Sequence, residues 1–256
     1  MSAEFTTVSY AGGTDKGKVR EQNEDSILTC NFAHSDVTLL IVADGVGGHE
    51  GGEVASKLAV DSVKSFVEKA VLQSNSGGGY AENWLELTLQ HALADANQVL
   101  LNQQIEQPQY SEMATTIVVM LIKQQQVALS HLGDSRCYLS SNEMFVQLTE
   151  DHTVLQKLLN EGRIDQQQFE TLPMHHMINQ ALGLIESPEI YAGRFEFQKG
   201  ATYLLCSDGL TNCISDAQIQ HIINQHQSLG DCVDELITQA NDNGGVDNIS
   251  VVLVRQ

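Results

Sequence analysis

Basic side chains are scarce in this sequence: 13 lysines and arginines face 33 aspartates and glutamates, a formal charge of −20 over 256 residues. A surface of that sign repels nucleic acid and anionic membrane faces, and it attracts cations or basic partner segments. No apolar run approaches the length of a bilayer span, and the opening Met1-Ser2-Ala3-Glu4-Phe5 carries neither a basic n-region nor an apolar h-region. Both absences point to a cytoplasm of bacterial type, away from membranes. Cysteine pairing is missing as well: Cys30, Cys137, Cys206, Cys213 and Cys232 are odd in number, form no C-x-x-C, and sit at no ligand spacing from histidines. They read as reduced and mostly buried. The glycines Gly47-Gly48 and Gly51-Gly52 precede no G-K-[ST], which removes a nucleotide P-loop. Ser207 lacks the G-x-S-x-G elbow of a serine nucleophile, so its hydroxyl reads as structural. There is no repeat, no linker and no low-complexity tail beyond short glutamine clusters.

What the chain does have is three aspartates set against buried strands. Val37 to Ala43 runs into Asp44-Gly45, Tyr203 to Cys206 runs into Ser207-Asp208-Gly209, and Gly244-Gly245-Val246-Asp247-Asn248 leads into Ile249 to Val254. Strand ends with adjacent glycines let backbone and carboxylate approach a ligand closely, and several aspartates converging there suit a hard divalent cation that prefers oxygen ligands. Any one Asp-Gly is by itself more often a plain turn former. Three of them at strand ends reverse that reading and predict a metal site.

The length and a 42% hydrophobic content can bury a full core, and one domain is the simplest organisation. Helical periodicity marks a block from about Gly52 to Gln73, with Glu53 in its first turn, and a second from about Glu82 to Ile105; the two are expected to pack antiparallel. Strand-like runs follow at Ala114 to Ile122, Val127 to Leu132, Arg136 to Leu139 and Met144 to Leu148, joined by polar turns, and read as an antiparallel meander. A polar helical insert begins at Thr153 and reaches Thr171. Strands near Ile190 to Phe197 and Ala201 to Cys206, helices near Ser215 to Gln225 and Asp231 to Asn241, and a last strand ending at Val254 complete the chain. Runs of strands between helix pairs fit two packed sheets with helices outside, an α+β arrangement.

The same residues carry a resemblance. Thr14-Asp15-Lys16-Gly17-Lys18-Val19-Arg20-Glu21-Gln22-Asn23-Glu24-Asp25, then Ala43-Asp44-Gly45-Val46-Gly47-Gly48-His49 with Gly52-Glu53-Val54-Ala55-Ser56, then Met113-Ala114-Thr115-Thr116, resemble the ordered motifs of the metal-dependent PPM, or protein phosphatase 2C, family. His131-Leu132-Gly133-Asp134-Ser135-Arg136, Leu148-Thr149-Glu150-Asp151-His152-Thr153, Gln180-Ala181-Leu182-Gly183, Cys206-Ser207-Asp208-Gly209-Leu210-Thr211 and Gly245-Val246-Asp247-Asn248-Ile249-Ser250 continue the series to the C-terminus. Eight segments in order, across nearly the whole chain, make the likeness specific, and it is nearest to single-domain bacterial serine/threonine phosphatases.

That resemblance implies a four-layer αββα sandwich, residues 1–256 as one domain, with a helical flap at about 153–189. It implies two Mn²⁺ or Mg²⁺ ions in a cleft, with Asp44 bridging them, Asp208 and Asp247 completing one ion and the Gly45 carbonyl serving the other. Glu24, Asp25 and Asn248 would hold metal-bound waters, and Asp134 with Asp208 would bind a weaker third ion. Water or hydroxide shared by two cations is acidified and oriented in line with phosphorus, so no protein nucleophile is needed. Arg20 falls where the family grips the substrate phosphate, a task suited to a planar guanidinium. The implied activity is hydrolysis of phosphoserine and phosphothreonine in proteins by a monomer that opposes a cognate Ser/Thr kinase.

The chain also departs from the pattern. Eukaryotic members carry a histidine where Val46 stands, which leaves His49 or a metal-bound water as the proton donor to the leaving group. Bacterial relatives usually show flap arginines where this chain reads Pro173-Met174-His175-His176-Met177-Ile178-Asn179-Gln180, whose histidines would favour a pH-dependent docking surface. His131 and His152 read as structural, Thr115 and Thr116 as strand formers, and Arg136 as the partner of a core carboxylate. Two other functions compete with the enzyme. A pseudophosphatase, a phosphoprotein-binding regulatory module, would have been signalled by loss of a metal-site aspartate, and all three are present. A metal-dependent phosphodiesterase or nuclease is disfavoured by the charge of −20.

Overall fold

Strand β3 (Val37–Val46) is apolar on both faces, and its alternation explains the architecture. Leu39, Ile41 and Ala43 enter one apolar cluster, while Leu40 and Val42 enter another on the opposite side. A strand buried on both faces must lie in an inner layer. The last strand, β11 (Ile249–Arg255), behaves the same way, sending Ile249, Val251 and Leu253 to one cluster and Val252 and Val254 to the cluster that β3 also feeds. In this computed structural model, which describes residues 8–33, 35–46, 51–141, 143–174 and 177–256, the result is two antiparallel sheets face to face with helices on both outer surfaces.

One sheet has the order β1 (Ser9–Asp15), β11, β10 (Thr202–Cys206), β7 (Arg136–Ser140), β8 (Phe145–Gln147). The other has the order β2 (Asp25–Asn31), β3, β5 (Ile117–Lys123), β6 (Gln126–Leu132), β9 (Ala192–Glu196), with the short β4 (Ala114–Thr115) paired to the end of β3. Helices α1 (Gly51–Gln73) and α2 (Trp84–Glu106) cover the second sheet through Ala55, Ala59, Val63, Val67, Leu89 and Leu93. The flap carries two short helices, α3 (Val154–Asn160) and α4 (Gln166–Thr171), and a single turn, α5 (Asp208–Thr211), follows β10. Helices α6 (Asp216–Gln225) and α7 (Leu229–Asp242) cover the first sheet through Ile219, Ile222, Val233 and Leu236. Each fully buried Leu, Ile or Val contributes about 1.5–3 kcal/mol, so three apolar layers readily carry a chain with such an acidic surface.

Three expectations change. The strands from Ala114 to Leu148 are not one meander: β5 and β6 form a hairpin in one sheet, and β7 and β8 form a hairpin in the other. The chain crosses between sheets at Gly133-Asp134-Ser135, where Gly133 adopts φ +102° and a Cβ would meet the Thr116 side chain at 2.6 Å. Asp44-Gly45 is no turn, because β3 continues through it and Gly45 pairs with Thr115. Strands β1 and β2 carry no strand signal strong enough to read in advance. The former contains Gly12-Gly13 and the latter ends the polar segment that holds the first motif.

The returning end of the flap is fastened to helix α2. Buried Asn97 accepts from the Gly183 amide at 2.8 Å and donates to the Ile185 and Glu186 carbonyls, and Gln104 donates to the Met113 and Gly183 carbonyls. Leu182 then bridges to Thr115, the partner of Gly45. The flap base and the aspartate-bearing strand are thereby set by one helix.

Candidate metal centre

The ends of the two sheets that carry the aspartates meet at a cleft of about 620 Å³ lined by Arg20, Glu24, Asp44, Gly45, Asp134, Asp208 and Asp247, together with Val46, Thr116, Ile178, Asn212 and Val246. Residues from five distant parts of the chain converge there, and every first-choice residue of the sequence reading is among them. Asp44 lies in β3 directly opposite Asp25 of β2. Two carboxylates facing each other across strands are a local conflict that packing alone would not favour. The Asp44 backbone is tightly held: its amide is donated to Thr116 Oγ1 at 3.2 Å, and its carbonyl accepts from Thr115 Oγ1 and from the Thr116 amide, both at 2.9 Å. Thr115 and Thr116, expected only as strand formers, are thus positioning groups. Their spacing alone could not reveal it, since the partner is 71 or more residues away.

Asp208 opens the turn α5, and Asn212, one turn later, donates to its Oδ2 at 3.0 Å. Gly209 has no side chain because the Asn248 carbonyl lies 2.0 Å from where a Cβ would stand. Asp247 accepts from Arg20 Nη2 at 2.7 Å, an ion pair half open to solvent. Asp134 follows Gly133 at the sheet crossing, and Arg136 on β7 makes a bidentate bond to Asp151, with Tyr138 and Gln147 completing that network. His131 and His152 stack with ring centroids 4.5 Å apart, His131 Nε2 meets the Glu150 carbonyl, and the Gly133 amide donates to His152 Nδ1. The histidine pair braces the crossing that bears Asp134, a structural role as expected.

Asn248, which the family resemblance implies as a holder of metal-bound water, is bonded to the loop that carries Arg20 and Glu24. Its Nδ2 donates to the Lys16 and Gln22 carbonyls at 2.9 Å each, and its Oδ1 accepts from the Glu24 amide at 2.8 Å. Both of its N–H donors and one lone pair of its oxygen are spent on the loop that presents Arg20 and Glu24. Replacing Asn248 by leucine is expected to leave two carbonyls and one amide without partners, at about 1–3 kcal/mol apiece before relaxation. A fall in Tm with a raised KM for a phosphorylated substrate, measured together, checks that this residue sets the loop. Ser207 is similarly occupied: its buried Oγ donates to Asp25 Oδ2 at 2.8 Å and accepts from the Ser250 amide at 3.0 Å. His49 and the pair His175, His176 lie outside the described residues, and among the described residues no histidine lines the cleft.

Burial, and then the charges of Asp25, Asp208, Asp134 and Asp247, push the Asp44 carboxyl well above the ordinary carboxylate range. Burial also raises Asp25 to about 7, with Asp208 and Asp247 adding to it and hydrogen bonds from serine hydroxyls opposing it. Asp134 rises to about 7 through burial and then through Asp208 and Asp151. Glu24 is raised by burial, with Arg20 pulling the other way. Carboxylates that disfavour one another's ionisation in this way are a site that positive charge stabilises.

Do these residues fit divalent cations? The donors are all oxygens, which suits Mn²⁺ or Mg²⁺. Asp25 Oδ1 is buried and has no hydrogen-bond partner, an unsatisfied acceptor beside the cluster. Among the described residues no three such side chains already stand at closed ligand spacing, and the carboxylates ring the cleft wall. One Asp247 oxygen is engaged by Arg20 at 2.7 Å. The donor chemistry and the orphaned oxygen fit the ions.

Comparison with known proteins agrees with this chemistry. Residues 13–248 match the family model described as protein phosphatase 2C. The serine/threonine phosphatase stp of Listeria innocua is 36% identical, the match covering 100% of this chain and 96% of that protein. Serine/threonine phosphatase Stp1 from Staphylococcus aureus superposes with a TM-score of 0.86 at 29% identity, covering 98% of this chain and 96% of that one. The catalytic domain of the phosphatase PstP, solved in complex with two manganese ions, superposes with a TM-score of 0.80 at 32% identity, covering 97% of each chain.

Proposed function

The chain belongs to the protein phosphatase 2C family and is a metal-dependent serine/threonine protein phosphatase, and on that premise we propose which of its residues carry the reaction. Asp44, Asp208, Asp247 and the Gly45 carbonyl hold two Mn²⁺ or Mg²⁺ ions, Asp134 with Asp208 offers a looser third position, and Glu24 and Asp25 complete the surrounding shell. When bound, the ions supply an acidified water nucleophile and compensate charge on the phosphoryl oxygens. The protein's own groups do the rest. Thr115 and Thr116 fix the Asp44 backbone, Asn212 steadies the Asp208 carboxylate, and Asn248 sets the loop from which Arg20 reaches the cleft. Arg20 binds the substrate phosphate with guanidinium N–H groups and aligns phosphorus for in-line attack; the water oxygen bonds to phosphorus as the bond to the side-chain oxygen breaks, a proton from water ends on that oxygen, and the serine or threonine hydroxyl and inorganic phosphate leave.

The observation that carries this reading is the meeting of Asp44, Asp208, Asp247 and Arg20 in one cleft. Substrates are phosphoproteins. We further propose one domain with a flap at about 153–189, action as a monomer in the cytoplasm, and opposition to a cognate Ser/Thr kinase. Among the described residues no helix is long and apolar enough to cross a membrane, which is compatible with that placement. The test is hydrolysis of p-nitrophenyl phosphate and of a phosphothreonine peptide with Mn²⁺, with EDTA, and by Asp208→Asn. Turnover is expected with Mn²⁺ alone; turnover that persists in chelator, or in the variant, would rule the assignment out.

A further inference from the structure

The cleft walls divide sharply by chemistry. The floor is carboxylate, whereas the rim is aliphatic: Val46, Ile178 and Val246 line it, with Val46 41% and Val246 51% exposed. Val19, 65% exposed, stands outside that lining, on a loop whose backbone bonds to the Gly245 carbonyl. Single exposed valines are ordinary on any protein surface. Three aliphatic side chains around one arginine are not scattered, because they come from the end of β3, the flap and the loop before β11.

Among the described residues cations are correspondingly few at the rim. Arg20 is the one cationic side chain lining the cleft among the described residues, and it faces Asp247. Its neighbour Lys18 is 3.4 Å from Asp242, and Arg136 is held by Asp151. An acidic residue beside the phosphorylated one would meet no partner here, and it would approach a chain of charge −20. An aliphatic residue there would cover wet valine and isoleucine surface.

We propose that Val46, Ile178 and Val246 form a specificity-determining shelf that selects phosphoproteins whose phosphorylated residue is flanked by aliphatic side chains and disfavours acidic flanks. The proposal rests on the phosphatase reading and deepens it by naming the sequence context of the substrate. The shelf acts outside the chemistry: the phosphate enters the same floor in every substrate, and the flanks decide how often it arrives and stays.

Three phosphothreonine peptides that differ only in the two flanking residues, valine, serine or glutamate, test it, with kcat/KM measured in Mn²⁺ at low and at high salt. Valine flanks are expected to exceed serine flanks about tenfold, as one or two methyl-sized contacts give, and glutamate flanks are expected to be poorest. The valine preference should survive high salt, while the glutamate penalty should shrink. In the Val46→Ser/Val246→Ser double variant the valine-to-serine ratio should fall toward one, and Val246→Ser alone repeats the measurement at the more exposed of the two positions, where folding is least at stake. Equal rates for the valine and serine peptides in the unsubstituted protein, or a ratio unchanged in the variants, would overturn the shelf. If neither p-nitrophenyl phosphate nor any peptide is hydrolysed with Mn²⁺, the phosphatase reading itself fails and the shelf falls with it, a result distinct from hydrolysis without flank preference.

Discussion

Asp44→Asn is expected to abolish turnover and, in the metal-free protein, to raise stability. The first effect follows from its place in the middle of the carboxylate cluster: an amide carries no charge and cannot be shared between two cations. A fall in kcat of roughly a thousandfold or more, about 4 kcal/mol of transition-state stabilisation, is the expected size. The second effect has the opposite sign. Folding without metal buries Asp44 opposite Asp25 and under the repulsion of Asp208, Asp134 and Asp247, and that cost is absent from the unfolded chain. An isosteric amide removes the charge but keeps the shape. About 1–2 kcal/mol of relief corresponds to a Tm higher by ~2–4 °C for a domain of this size. Mn²⁺ should then stabilise the unsubstituted protein strongly and the variant weakly, since only the former gains ligand bonds. Melting in chelator and in Mn²⁺, beside steady-state kinetics, separates the two effects. A variant that melts below the parent in chelator would mean that Asp44 is a structural carboxylate, whatever its rate.

That sign reversal is also the reason the site was readable before the fold was. Asp44, Asp208 and Asp247 conflict with their surroundings, because charges at the edges of apolar runs serve no core, and such conflicts mark function. The aliphatic periods of β3, β10 and β11 and of helices α1 and α2 are strong enough to place those elements within a few residues. The sheet assignment was not readable. The turn at Gly133 to Ser135 is as short as a hairpin's, yet it passes the chain from one sheet to the other, and only the partners of β6 and β7 decide this. Strand β1 gains its extended form from β11, with seven residues in register, while its own Gly-Gly argues against a strand. Thr116, Asn212 and Asn248 were missed as positioning residues for one reason. A hydroxyl or amide has the same local signature whether it faces water or a catalytic backbone, and its partner here comes from elsewhere in the fold or from the next helical turn.

Arg20→Ala is the second large effect, and it acts on binding more than on the chemical step. Arg20 stands on a loop held by Asn248, and one N–H of its fork goes to Asp247, which aims the guanidinium across the cleft floor. Hydrogen bonds from a charged donor are worth about 1.5–3 kcal/mol each, so losing two to a phosphate predicts KM higher by about two to four orders of magnitude. The change in kcat should be far smaller, because metal ions held by the carboxylates would supply most of the charge compensation in the chemical step. Arg20→Lys should recover little of the loss, since an ammonium is a point charge with no parallel pair of donors. The Asp247 partner adds a second readout. With the guanidinium gone, Asp247 loses a cation and gains freedom to turn inward, so the Mn²⁺ concentration needed for half-maximal activity should fall or hold steady while KM rises. An arginine that merely propped up the fold would move Tm and metal requirement together and leave KM in place, and that pattern would remove Arg20 from the phosphate site.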